Sequence, residues 1–403
     1  MKHHLPPPRD LTTLDAFVSL MAETAAARTQ AAAAILAGRP VPGETLPPLL
    51  QALSDLEEAG GRDGRAPLEV AEDQMATLDL SEERAQVEND VVYLEQGREA
   101  LLKHLGRQHH GFREAVSRGL RLVSDLRCNV LFYDGDGALR AFGQRFASAV
   151  QPAWNAVALT RFALARAGRP LLWTTAPLGP SGLDGQLTMP SGVFAFAGSE
   201  GRQYRTADGR AGEAPLSSEK DALLTSINAR LADLLADPFW RVFGYVGSGV
   251  QFCRGETIVA RQDDRESVDE ELSLSLLEHI HDVVDAVDPE RIHFRVEDDG
   301  LDVAIVPTAA REDVWREFAP EEGLRLVEAG LDLHLDRGPH LACCGGSAGI
   351  PLLAALAARS QDTRCLFVTD REDLAARARA VCPGTVIVSH PDVLTGILSS
   401  AAP

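Results

Sequence analysis

Apolar positions in the first forty residues recur at helical spacing: Leu14, Phe17, Val18, Met21, Ala22 and Ala25 share one face, and Pro40-Val41-Pro42-Gly43 ends the run. The pattern predicts a helix over residues 12–38. A shorter helix is predicted over 47–58, before the glycine-rich Gly60-Gly61-Arg62-Asp63-Gly64. A longer stripe of Val87, Val91, Leu94, Leu101, Leu102 and Leu105 predicts helix from 82 to 125. Residues 1–124 therefore read as an all-helical domain, and their acids and histidines fall where solvated helix faces place them.

The period changes at Cys128. Cys128-Asn129-Val130-Leu131-Phe132-Tyr133 is a short β-prone run that stops at Asp134-Gly135-Asp136-Gly137. A helical pattern over 142–167 leads to a second apolar run, Pro170-Leu171-Leu172-Trp173, which ends at Thr174-Thr175. Strand, helix, strand with polar residues at both strand ends predicts the start of a parallel α/β sheet, where ligands sit outside the carboxyl ends of the strands. The C-terminus repeats the alternation: helix at 350–359, a strand at 364–369 ending in Asp370-Arg371-Glu372-Asp373, a helix through 379, a strand at 385–388 and a last helix. Between these stretches, short strands at 193–196, 241–246, 250–252, 257–261, 292–296 and 301–306 mix with helices at 217–236 and 268–287. The expected fold class is α/β: a Rossmann-like parallel sheet from residues 125–183 and 336–403, an α+β cap inserted over 184–335, and the helical region in front.

The length of 403 residues agrees with two or three domains of about 150 residues each. A formal charge of -20, from 59 acidic and 39 basic residues, excludes a non-specific phosphate-backbone binder and predicts no nucleic-acid or membrane partner. All but three of the basic residues are arginine; the lysines are Lys2, Lys103 and Lys220. Six cysteines without a C-x-x-C pair predict buried thiols rather than a disulfide framework or a structural zinc. The start lacks an apolar leader segment, and no apolar run approaches the roughly 20 residues of a membrane span, so the expected location is cytoplasmic. The N-terminal helices are the expected surface for a homo-oligomer or a partner protein.

Asp134 and Asp136 flank one glycine directly after an apolar strand, which lets both carboxylates leave the strand end toward one cavity. Two like charges held together call for a cation, and Mg2+ takes oxygen from one or two carboxylates plus phosphate and water. Asp370 and Asp373, at the end of an expected neighbouring strand, extend the acidic cradle to a metal set of Asp134, Asp136, Asp370 and Asp373. Thr174, or alternatively Thr175, offers a hydroxyl for a phosphoryl oxygen. A carboxylate nucleophile, a second acid, a hydroxyl donor and magnesium together describe phosphoryl transfer through an aspartyl-phosphate.

The run from Phe132 through Asp134, Gly135, Asp136 and Gly137 to Leu139 resembles the first motif of the haloacid dehalogenase superfamily, hhhDxDG(T/V)hh. The resemblance implies Asp134 as nucleophile, Asp136 as general acid and base, Thr174 as the second-motif hydroxyl, and Asp370 with Asp373 as the fourth-motif metal acids. The inserted α+β module resembles that of C2-capped members, and residues 125–400 are similar to trehalose-6-phosphate phosphatases and related sugar phosphatases. Residues 193–201 and 249–261 resemble cap segments that contact substrate. This implies Glu200, Arg254, Arg261 and Arg295 as contacts to a phosphorylated sugar or cyclitol. The third motif of the family carries a lysine that neutralises the phosphoryl oxygens, and none of the three lysines lies near residues 336–350. Arg337 and the backbone around Gly346 and Ser347 are the expected substitutes. Two readings follow: a magnesium-dependent sugar phosphatase, and a catalytically weak or inactive relative that binds or regulates.

Overall fold

The computed structural model describes residues 7–72, 74–139, 145–308 and 320–402. Its first helix, α1 (Leu14–Leu36), begins where extended Thr13 accepts the Ala16 N–H on its Oγ1, and it buries Leu14, Phe17, Leu20 and Met21. Helix α2 (Leu46–Gly60) starts with prolines in its first turn, where a missing N–H costs nothing. The segment between α2 and the next helix is a hairpin of β1 (Arg65–Ala71) and β2 (Gln74–Asp79) rather than helix or loop. Its signal is a period of two, with Ala66, Leu68 and Val70 buried and Arg65, Pro67 and Glu69 exposed between them. The single long helix expected over 82–125 is three: α3 (Ser81–Gln96), α4 (Arg98–Gln108) and α5 (Phe112–Val123). Gly97 and Gly111 break it by taking φ of 81° and 68°, where glycine alone avoids a steric cost.

The core sheet contains β3 (Cys128–Asp134), β4 (Ala167–Trp173), β5 (Ala195–Gly198), β6 (Gln203–Arg205) and β7 (Ala211–Glu213), with α6 (Ala153–Arg166) crossing from β3 to β4. The cap consists of α7 (Ser218–Ala236), β8 (Val250–Cys253), β9 (Glu256–Ala260), α8 (Glu270–Val287), β10 (Phe294–Asp298) and β11 (Asp302–Pro307). The chain then returns through α9 (Pro320–Leu331), β12 (His340–Gly345), α10 (Gly349–Arg359), β13 (Thr363–Val368), α11 (Glu372–Val381), β14 (Val386–Val388) and α12 (Pro391–Ala401). Strand order is β14-β13-β12-β3-β4-β5-β6-β7, parallel from β14 to β5 and antiparallel beyond. Helices α5, α6 and α12 pack on one face, and α9, α10 and α11 on the other. The central strands are buried on both faces and so read as continuous apolar runs.

Three features depart from the expected boundaries. Residues 195–213, expected in the cap, hydrogen-bond into the core sheet as β5, β6 and β7. Helix α9, expected at the end of the cap, packs Leu324, Val327 and Leu331 against the core. The strand expected over 241–246 is a 3-10 turn, Arg241–Gly244, that buries Val242 and Phe243. The cap itself is an antiparallel sheet in the order β10-β11-β9-β8, with α7 and α8 packed together beside it.

The helical domain touches both other parts. Arg28 and Asp90 form a buried ion pair at 2.6 Å, Arg28 Nη1 donates to Val150 O, and Asp90 accepts the Trp154 N–H at the start of α6. On the cap side, Gln74 Nε2 donates to Phe239 O and Asp15 pairs with Arg241. The apolar cluster around Phe17 runs on through Trp240 and Phe243 into the cap. No helix among the described residues is long and apolar enough to cross a membrane, and the six cysteines are buried and unbridged.

Gly137, in the loop after β3, and Gly345, the last residue of β12, are in backbone contact, and a Cβ on Gly137 would overlap the Gly345 carbonyl. Gly137→Ala is therefore expected to force β12 away from β3 and to destabilise the protein by about 1–3 kcal/mol. Denaturant midpoints of the two proteins check this; an unchanged midpoint would show that the two segments separate freely.

Candidate active site

The site forms where β3 ends, between the strands that lead the chain to either side of the sheet. This is a topological switch point, where a crevice opens outside the carboxyl ends of the strands. Asp134 is the last residue of β3 and only 4% exposed. Its Oδ1 accepts the Asp136 N–H (2.9 Å), and its Oδ2 accepts the Gly345 N–H (3.2 Å) from the end of β12. Gly349, the first residue of α10, lies close to the same Oδ2, so the positive end of that helix faces the carboxylate. These donors hold the side chain in one orientation.

Asp136 is held from the next strand. Thr174 Oγ1 donates to Asp136 Oδ1 (2.9 Å), while Oδ2 accepts both the Thr175 N–H (2.6 Å) and the Thr175 hydroxyl (3.0 Å). Both threonines follow β4 directly, so parallel pairing of Asp134 with Trp173 brings them to the loop after β3. Thr174 and Thr175 thus act together on Asp136, rather than one serving in place of the other.

The loop after β5 adds a third carboxyl. Glu200 has φ 55° and ψ 34°, a left-handed conformation that a non-glycine residue adopts at some cost, and its N–H donates to Thr174 O (3.1 Å). Burial, then the charges of Glu256 and Asp136, push the Glu200 carboxyl up from 4.5 to about 7, against the lowering effect of Arg202. The tip of the β8–β9 hairpin covers this loop: Cys253 Sγ donates to Thr175 O (3.4 Å), the Arg254 N–H donates to Ser199 Oγ (2.9 Å), and Glu256 pairs with buried Arg202 at 2.7 Å. Gly255 closes the hairpin at φ 91°. Cys253, Glu256 and Arg202 were not singled out from sequence; the two β-prone runs flanking Arg254-Gly255 mark a hairpin, but nothing in them says which surface its tip meets.

The raised Glu200 pKa has a sign. The folded state binds this proton more tightly than the unfolded chain, so the stabilisation is complete below 4.5 and is lost as pH rises through about 7. Glu200→Gln is expected to remove that fall. Thermal midpoints of both proteins across the window check it, and parallel curves would show that Glu200 titrates normally.

The remaining expected residues separate. Arg254 turns its guanidinium toward Ala214 O, Asp221 and Glu213. Arg261 is bound to Asp298 and Ser273 inside the cap, and Arg295 contacts Glu297 and Pro307 O. Gly346 takes φ 64° in the turn after β12, and Ser347 is exposed beside it. Arg337 does not reach the site. It precedes β12, at the amino end of the strand, roughly 20 Å from the carboxyl end, and its side chain is 73% exposed. Asp370 follows β13 at the carboxyl end and is exposed, whereas Asp373 is held in a two-pronged ion pair by Arg371. Lys220 Nζ donates to Thr308 O in the cap, and Lys103 is exposed on α4.

The four expected metal carboxylates do not converge as a group. Among the described residues, the three side chains close enough to share one ion are His109, His390 and Asp392, at a different place. Asp136 is engaged by threonines and Asp373 by Arg371, and Asp370 follows β13, which is not the neighbour of β3 that was expected: β12 lies between them, a separation of about 10 Å at ordinary strand spacing. A cavity of about 630 Å3 lies elsewhere, between α1 and the cap; its lining includes Met21, Phe146 and Tyr245 but no carboxylate, so it has no part in this chemistry.

A parallel core with Asp134 and Asp136 at its switch point and an α+β cap over the crevice defines a C2-capped member of the haloacid dehalogenase superfamily. More narrowly, residues 131–394 match the profile of the trehalose-6-phosphate phosphatase C-terminal family and residues 13–108 that of the trehalose-6-phosphate phosphatase N-terminal helical bundle domain, and the chain belongs to this family. It is similar to alpha,alpha-trehalose-phosphate synthase 2 (UDP-forming) of Caenorhabditis elegans, 27% identical over 99% of this chain and 34% of the relative. It is also similar to the trehalose-phosphatase of Brugia malayi, 25% identical over 67% of this chain and 56% of the relative. The chain spans about a third of the length of the synthases it matches. A solved trehalose-6-phosphate phosphatase related protein overlays with a TM-score of 0.45 at 11% identity, covering 67% of this chain and 96% of the other.

Proposed function

We propose that the chain is a magnesium-dependent phosphatase of a phosphorylated sugar, a trehalose-6-phosphate-like disaccharide or a pseudo-sugar, acting through an aspartyl-phosphate. The observation that carries this reading is the pair at the end of β3: Asp134 oriented by two N–H groups, and Asp136 oriented by Thr174 and Thr175. In the first step Asp134 attacks phosphorus and forms an acyl phosphate, the P–O bond to the sugar breaks, and Asp136 gives its proton to the departing sugar oxygen. In the second, Asp136 takes a proton from water, the water oxygen bonds to phosphorus, and the acyl phosphate bond breaks, releasing inorganic phosphate and restoring Asp134. Asp134 would offer carboxylate oxygen to magnesium, with Asp370 two strands away on the same rim as the next acid, and the ion would offset charge on the phosphoryl oxygens.

Sugar contacts fall to the Glu200 loop and the hairpin tip that covers it. A carboxyl near neutrality at working pH can donate or accept a hydrogen bond to a hydroxyl. Arg254, Arg261 and Arg295 reach a substrate only by exchanging the partners described above. A substrate held under the hairpin would be shielded from water on that side, which would strengthen electrostatic interactions there.

The second reading, a binding or regulatory relative with little turnover, draws on the lack of lysine in the 336–350 region and on a helical domain that the chemistry does not require. Phosphate release from a panel of sugar phosphates, with and without Mg2+, separates the two. Magnesium-dependent release from at least one member is expected; none from any member overturns the phosphatase reading.

A further inference from the structure

The geometry points to a second metal site, for a zinc-type divalent ion held by His109, His390 and Asp392, which joins the helical domain to the core. His109 follows α4, and His390 and Asp392 open α12. His109 Nε2 lies 3.0 Å from Asp392 Oδ2 and His390 Nδ1 lies 3.5 Å from the same oxygen. One ligand atom from each of the three can be chosen with all separations within 4.8 Å. Zinc bonds of about 2.0–2.2 Å at tetrahedral angles set ligand atoms about 3.4 Å apart, so the ion fits with small side-chain movements. Imidazole nitrogens with one carboxylate suit zinc rather than magnesium, which prefers oxygen throughout.

The surroundings match what holds metal-bound histidines in place. Glu82, in the first turn of α3, has Oε1 3.9 Å from His390 Nε2, the ring nitrogen left over when Nδ1 faces the ion. Asn89 Nδ2 donates to Asp392 Oδ2 (3.3 Å), while Asn89 Oδ1 is buried without a hydrogen-bond partner. The histidine rings stack with centroids 4.4 Å apart, and the three side chains are 14% to 23% exposed, so an ion has access. A competing use exists: His390 Nδ1 accepts the Asp392 N–H (3.1 Å) as the cap of α12. Metal binding replaces this bond with coordination. The site is distinct from the one proposed for magnesium at Asp134, because β14 is three strands from β3 in the sheet, about 14 Å at ordinary strand spacing. Two ligands come from the core and one from the helical domain, so the ion restrains the contact between them.

The test uses the full chain, stripped with a chelator and titrated with Zn2+ and Co2+ in excess Mg2+, so that the oxygen site is filled. One equivalent of Zn2+ is expected to bind per chain, with Co2+ producing visible ligand-field absorption and Zn2+ raising the thermal midpoint. His109→Gln should weaken binding more than about 100-fold, and Glu82→Gln about 10–100-fold. His390→Asn keeps a side-chain acceptor for the α12 cap and removes the imidazole, so it separates lost coordination from lost folding. Absence of stoichiometric binding, or affinity unchanged in both His109→Gln and His390→Asn, overturns the site and leaves the cluster as a hydrogen-bonded contact. Neither result depends on phosphatase turnover.

Discussion

Asp134→Asn is expected to lower Mg2+-dependent phosphate release by at least about 10^3-fold with the fold retained. The amide has the size of the carboxylate but cannot form the acyl phosphate. Its NH2 would also meet one of the two N–H donors now paired with Asp134, Asp136 N or Gly345 N. That mismatch costs about 1–3 kcal/mol, so the thermal midpoint should fall modestly and must be measured beside the rate. A variant that retains turnover within tenfold of the parent sinks the covalent route, whatever the substrate.

Asp136→Ala should cost about 10^2- to 10^4-fold in kcat, the range for loss of a general acid and base, with a smaller change in KM. Its signature is dependence on the leaving group. An aryl phosphate departs without a proton, so formation of the phospho-enzyme should be nearly normal, giving a burst of phenol release followed by slow hydrolysis. With a sugar phosphate the first step is itself impaired and no burst appears. Equal losses with both substrates and no burst would mean that Asp136 only supports the loop. Thr174→Val and Thr175→Val test the same assignment indirectly, because each removes a donor to the Asp136 carboxylate.

Much of the core was legible because its strands are buried on both faces. Residues 130–133 and 365–368 are continuous apolar runs followed by Asp134 and, one residue on, Asp370, and the parallel sheet puts those acids on one rim. Strand β11 was legible for a different reason, since Val303 and Ile305 are buried at alternate positions, whereas β9 is buried at four of its five positions and shows no such alternation. The β1–β2 hairpin interrupts a region of otherwise helical period, and its own signal is the alternation of Ala66, Leu68 and Val70. The cap boundary was misplaced because β5, β6 and β7 are short, and short strands carry no record of which sheet they join. Arg337 carries the right charge and lies near Gly345 in sequence. A strand of extended chain lies between them and carries the two to opposite ends of the sheet.

The chain order alone settles that Asp134 and Asp136 leave a buried strand together, that threonines end the next strand, and that a module is inserted between the halves of a parallel sheet. These are local facts, governed by periodicity and by the polar residues that stop each strand. The tertiary structure decides which partners those side chains keep. It gives Asp136 to both threonines and Arg254 to Asp221 and Glu213, and it sets Glu200 against Glu256 and Asp136, where burial raises its pKa. It also brings His109 to His390 and Asp392 across 281 positions of chain. Charge strength and ion binding depend on distances of a few ångströms and on exclusion of water, and pairings so far apart along the chain leave no mark in its local pattern.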